Sequence, residues 1–173
     1  AFAIWMPIYI LYFGFMVYTL QPAEKVPDRN DVLVFRQIGF LFAMNMLTHG
    51  GFFISRTKYS SWGYLFTTVD QFIMLTTGLL MLQYSMYTKL NTYEFVTLRC
   101  GFSIFTSWVC AANILISTSF FLSSGLDTNQ VFWSQAILVV GWVIVTLYSF
   151  IEKNPLFGGV YLWPLLAIMS KTD

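Results

Sequence analysis

The sequence has little charge. Only 10% of its 173 residues are Asp, Glu, Lys or Arg, against about 25% in a soluble domain. Hydrophobic residues make up 57%, aromatic residues 20%, and the mean hydropathy is +0.67. A soluble core of this size cannot hide so much apolar side chain, so lipid is the solvent for most of it. The net charge of +1 gives nucleic acid no electrostatic footing as a partner. Cysteine is scarce too. Cys100 and Cys110 fall on one predicted helix, and their separation of about 15 Å along it excludes a mutual disulfide. There is no Asn-x-Ser/Thr sequon, so glycosylation carries no information about compartment. His49 is the single histidine. No second His, Cys or carboxylate stands at metal-ligand spacing from it, which argues against a metal centre. A nucleophile elbow, a Gly-rich phosphate loop, a buried carboxylate pair and a Ser/His/Asp set are all missing, so the chain reads as non-enzymatic, with no cofactor. It begins at Ala1 inside an apolar run with no basic stretch before it. This reads as a processed or incomplete N-terminus rather than a signal peptide.

What is there is a series of six apolar segments: 2–20, 34–55, 61–88, 98–121, 131–150 and 156–170. They predict an all-α integral membrane protein, a polytopic bundle of about six helices forming one domain over 1–173. Residues 21–33, QPAEKVPDRNDVL, carry two prolines and five charges and read as a solvated connection. Glu152-Lys153-Asn154-Pro155 is a clear break. The last segment is short, with Gly158-Gly159 and Pro164, and either spans with help from its neighbours or only dips into the membrane. If every segment spans, Lys25, Arg29, Arg36, Lys89, Arg99 and Lys153 share one side and Arg56, Lys58 and Lys171 the other. The positive-inside rule then places the first side in the cytoplasm, or in the matrix for a mitochondrial inner membrane.

Segment 98–121 combines a spanning length with a stripe of small and polar residues: Ser103, Thr106, Ser107, Cys110, Asn113 and Ser117. Steps of three and four put them on one helix face. The stripe reads either as close helix packing, with Asn113 as interhelical glue, or as a pocket wall beside Trp108. Asp70 is the one acidic residue inside an apolar run. It is a ligand-facing or proton-relay group, or it bonds a neighbour near a helix end. His49, with Asn45 one turn earlier, holds a ligand or makes a helix–helix hydrogen bond. One carboxylate and one histidine at membrane depth are thin support for a transporter, and no inverted repeat of broken helices is visible.

Several of these segments resemble the TspO/MBR family, the translocator proteins and tryptophan-rich sensory proteins. AFAIWMPIYILYFGFMVYTL at 1–20 is similar to the family's F-x-I-W-x-x-I-Y segment, with Trp5 and Tyr9 in register. TTVDQFIML at 67–75 is similar to L-V-D-L, which makes Asp70 the family aspartate. LMLQYSMYTKL resembles the I-Y-x-x-L ending of that helix. GFSIFTSWVCAANILI resembles P-F-S-x-Y-x-G-W-x-x-V-A-T-x-x-N, and YLWPLLAI is similar to the W-A-L-x-G-I ending. There are departures. Thr48-His49 and Phe52 stand where the family has Asn and Trp. Gly101 replaces a proline, and Ile116 falls on the terminal Asn, with Asn113 a turn earlier. A helix matching the family's first is missing ahead of residue 2.

The resemblance implies a non-catalytic protein that binds a hydrophobic small ligand, a tetrapyrrole (porphyrin), sterol or lipid, inside its bundle. Trp5, Tyr9 and Trp108 are the expected stacking surfaces, and Asn45, His49, Asp70 and Asn113 the expected polar contacts. The changed family positions support a second reading, an accessory transmembrane subunit of a mitochondrial, respiratory-type complex. Expected partners are membrane lipids, that ligand, and other membrane subunits or further copies of the chain.

Overall fold

Asn91-Thr92-Tyr93-Glu94 shows how locally this chain sets its helix boundaries. The computed structural model describes residues 2–56, 61–123 and 130–169. In it Glu94 N–H donates to Asn91 Oδ1 at 2.8 Å, and Asn91 N–H donates to Glu94 Oε2 at 3.2 Å. This reciprocal capping box starts the fourth helix at Thr92, well before the expected 98. Residues 91–97 fall between the expected segments 61–88 and 98–121, and the polarity of Asn91 and Glu94 serves the cap.

The described residues form six helices and no strand. Helix α1 is Trp5–Leu20, entered through a 3-10 turn, Phe2–Ile4. Helix α2 is Gly39–Arg56, preceded without a break by a π-helical stretch, Val32–Ile38. Helix α3 is Ser61–Met86. Helix α4 is Gly101–Ser123, led in by Thr92–Glu94 and a second π-helical stretch, Phe95–Cys100. Helices α5 and α6 are Gln130–Ile151 and Pro155–Met169. Three runs, Val32–Phe52, Trp62–Met86 and Thr92–Phe120, are long and apolar enough to cross a bilayer. Helix α6, at 15 residues, is about 22 Å long, shorter than the roughly 30 Å hydrocarbon core. The loop at 56–58, the loop at 123–130 and Lys171 lie wholly or partly outside the described residues.

Helix α4 is the centre of the bundle. Leu98, Phe102, Phe105 and Val109 are fully buried, and α1, α3, α5 and α6 all pack on it. Gly101 gives α1 its approach: a Cβ there would touch Leu11 Cβ at 3.4 Å. Gly78 of α3 does the same for Thr106, whose Oγ1 would lie 2.7 Å from an added Cβ. Tyr12, Phe15, Phe42, Phe102 and Phe105 fill the α1–α2–α4 space with mostly edge-on ring contacts at 5.0–6.5 Å.

One end of the bundle is tied by polar bonds. Glu94 is buried and also accepts from Tyr18 Oη at 3.1 Å and Asn30 N–H at 2.8 Å. Asn91 Nδ2 donates to Asp28 O at 3.2 Å, and Tyr87 Oη to Glu152 Oε2 at 3.2 Å. The three connections 21–31, 87–91 and 152–154 therefore lie together, the arrangement that alternate spanning requires. Beside Glu152, the Tyr87 hydroxyl is pushed above the ordinary phenol range by the neighbouring carboxylate.

Arginines close two helix ends. Arg29 Nη1 donates to the carbonyls of Tyr18 at 3.2 Å and Gln21 at 2.7 Å, at the end of α1. Arg99 donates through Nε to Ser85 O at 3.2 Å, and through Nη2 to Met86 O and Thr88 O at 3.2 Å, at the end of α3. Both satisfy orphan carbonyls and set a cation on the negative helix end.

Candidate functional site

Helices α1, α2 and α4 bring four rings together. Trp5 and Tyr9 lie one turn apart on α1 and stack at 5.7 Å. His49 of α2 stands edge-on to Trp5 at 5.0 Å and to Tyr9 at 6.0 Å. Trp108 of α4 meets Trp5 edge-on at 6.2 Å. Phe105 backs His49 at 6.4 Å. The Tyr9 hydroxyl and His49 Nε2 are hydrogen-bonded at 2.9 Å. Trp108 is 7% exposed, and its indole Nε1–H has no hydrogen-bond partner among the described residues. A buried donor without an acceptor costs about 1–3 kcal/mol, so the Trp108 indole is an unmet donor among rings.

The position of His49 follows from the sequence. The segment Gly39–Arg56 keeps Phe42, Asn45, His49 and Phe52 at steps of three and four, so they share the inward face of α2. Tyr9 is different. It is 46% exposed and sits with Met6, Ile10 and Phe13 on the outer surface of α1, yet its hydroxyl turns in to His49. It joins the bundle interior to the lipid face.

The other three expected residues do not join this cluster. Asn45 Nδ2 donates to Met74 O at 3.0 Å and Thr77 Oγ1 at 2.7 Å, which fastens α2 to α3. Asn113 Nδ2 donates to Gln71 O at 3.0 Å and to Val109 O at 3.1 Å, fastening α4 to α3. Asp70 is half-buried on α3, and its carboxyl lies against Gly51 of α2, where an added Cβ would meet it at 3.3 Å. Two serines of the α4 stripe are also engaged. Ser107 Oγ donates to Phe157 O at 2.6 Å, and Asn154 Nδ2 donates to Ser103 Oγ at 2.8 Å. At those two positions the stripe meets α6. Cys110 is half-buried.

Sequence reasoning missed Glu94 and Asn154. The signal for Glu94 was the Asn-x-x-Glu spacing of a capping box. For Asn154 it was an Asn directly before a proline, the N-cap and N1 pair of a helix start. Among the described residues no group of three His, Cys, Asp or Glu side chains could hold a metal.

The fold and these contacts define an all-helical integral membrane protein with an aromatic cluster among three helices. A family model described as TSPO-like protein matches residues 1–173. The chain belongs to that family, the one its first, third, fourth and last segments resemble. No curated protein and no solved structure matches the chain.

Proposed function

We propose that the protein is a non-catalytic binder of a hydrophobic small molecule, and that Trp5, Tyr9, His49 and Trp108 receive it. The observation that carries this reading is the partnerless, buried Trp108 Nε1–H beside the stacked faces of Trp5 and Tyr9. Rings give stacking area, and one unmet donor gives a ligand acceptor its place. A tetrapyrrole or a sterol, the ligands implied by the family resemblance, brings rings to stack and a polar edge to meet the indole N–H. Asn45, Asp70 and Asn113 support the site by holding α2, α3 and α4 together. The test is thermal unfolding of purified protein with protoporphyrin IX, a sterol or a lipid. A ligand at a hundred times its Kd adds about 2.7 kcal/mol of stability. No shift with any of the three would overturn the proposal.

One observation favours a second reading. The amides of Asn45 and Asn113 and the hydroxyls of Ser103 and Ser107 are used in helix–helix bonds. A bundle whose polar groups serve packing suits an accessory transmembrane subunit of a mitochondrial complex. Its native mass would then be that of a large assembly.

A further inference from the structure

A second cleft lies at the tied end of the bundle, at the last turn of α1 and hence at headgroup depth. Tyr18, Gln21, Lys25, Asp28, Asn91 and Tyr93 are among its lining residues. Hydrogen bonds and a ring stack frame part of it. Lys25 closes a 3-10 turn, with its N–H on Pro22 O at 3.0 Å. Asn91 Nδ2 holds Asp28 O across the cleft, and the Tyr18 and Tyr93 rings stack at 4.8 Å. Neighbouring Arg29 and Asp31 pair with each other at 2.5 Å. Lys25 and Asp28 do not pair with each other or with either of those two. Lys25 is therefore the one cation and Asp28 the one anion among the lining residues, both exposed and not paired with each other. Beside it the side chains of Val17, Leu20 and Val96 face outward.

We propose that this cleft binds the zwitterionic headgroup of a phosphatidylethanolamine-type lipid. Lys25 receives the phosphate and Asp28 the primary ammonium, while the acyl chains run along Val17, Leu20 and Val96. Opposite charges separated within the ligand match opposite charges separated in the cleft. A primary ammonium can donate hydrogen bonds to Asp28, which a quaternary one cannot. The cleft is far along α1 from Trp5 and Tyr9, so this proposal is independent of the ligand assigned to the aromatic cluster.

The test is native mass spectrometry of the delipidated protein titrated with phosphatidylethanolamine, phosphatidylcholine or soluble phosphoethanolamine. One phosphatidylethanolamine is expected to bind in preference to phosphatidylcholine. Lys25→Ala and Asp28→Asn are each expected to weaken it about fivefold, the worth of roughly 1 kcal/mol for a charge at the membrane surface. Lys25→Arg and Asp28→Glu should retain binding, which separates loss of charge from loss of fold. Equal binding of phosphatidylcholine would overturn the proposal, as would unchanged binding in both charge-removing variants. Displacement by phosphoethanolamine at concentrations matching the lipid would overturn the assignment to a lipid.

Discussion

Trp108 and Glu94 are both buried and polar, and they stand in opposite situations. Glu94 accepts from Tyr18, from Asn30 N–H and from Asn91 N–H, while Trp108 Nε1–H has no acceptor. Removing a side chain from a satisfied network leaves its partners stranded. Glu94→Ala is therefore expected to destabilise the protein by about 2–4 kcal/mol, summed over its bonds, as read by thermal unfolding in detergent. Trp108→Phe removes a donor that has nothing to lose in the ligand-free protein. The relief of the unmet donor, about 1–3 kcal/mol, offsets the lost ring volume, so stability should change little, while ligand affinity at the aromatic cluster falls about tenfold, one hydrogen bond's worth. Titration of the variant against wild type checks this, and equal affinity would remove Trp108 from the site. Tyr9→Phe tests the link to His49 in the same way, with an expected stability loss of about 1 kcal/mol. At this scale the sequence was partly legible. Trp5 and Tyr9 share a face by spacing alone, and so do Asn45 and His49. What spacing cannot say is which of two neighbours on one face meets the next helix and which meets the rings. Asn45 reaches α3 and His49 reaches α1 from the same face of α2, a division set by tertiary packing.

The turn from α5 into α6 shows how much one short element can decide. Asn154 N–H donates to Ser149 O at 2.9 Å and Lys153 N–H to Phe150 O at 3.3 Å, the two bonds of a Schellman closure. Lys153 occupies the left-handed position with φ 51°, where a side chain costs about 1–2 kcal/mol. Asn154 then caps α6 through Phe157 N–H at 3.3 Å, with Pro155 at the first helical position. Lys153→Gly should stabilise the protein by about 0.5–1 kcal/mol, the strain relieved less the added freedom of the unfolded chain. A lower melting temperature in that variant would mean that the Lys153 side chain makes contacts worth more than the strain. Asn154→Ala loses both the cap and the bond to Ser103, so a cost of about 1.5–3 kcal/mol is expected. The break at 152–155 was plain in the sequence, because Asn-Pro after a charged pair punctuates any apolar run. The early start of the fourth helix was hidden, because Thr92, Glu94 and Thr97 look like loop until Asn91 and Glu94 are seen to cap each other. The π-helical stretches were hidden as well, since no side-chain period marks them.

Over the whole molecule, the six basic residues assigned to one side by the positive-inside rule divide into two kinds. Arg29 and Arg99 cap α1 and α3, whereas Lys25, Arg36, Lys89 and Lys153 are exposed. Both kinds keep that side in contact with water, since a capping guanidinium at a helix end is as costly to carry across a bilayer as a free one. The two functional readings make different demands on the rest of the surface. A ligand binder needs only lipid around α5, whose Phe132, Trp133, Val139, Val140, Trp142 and Leu147 all face outward. An accessory subunit needs protein there, and polar anchors are what such an interface would add. Those side chains are mostly apolar surface that lipid satisfies, and the indole N–H groups of Trp133 and Trp142 are the only polar atoms among them. On this ground the protein extracted in mild detergent is expected to migrate on a native gel at the mass of one or two chains with bound detergent. Addition of protoporphyrin IX or a sterol should raise its melting temperature without changing that mobility. Migration within a large assembly that resists mild detergent, together with an unchanged melting temperature, would reverse the order of the two readings. The aromatic cluster would then be a packed remnant, held closed by the Tyr9–His49 hydrogen bond at 2.9 Å.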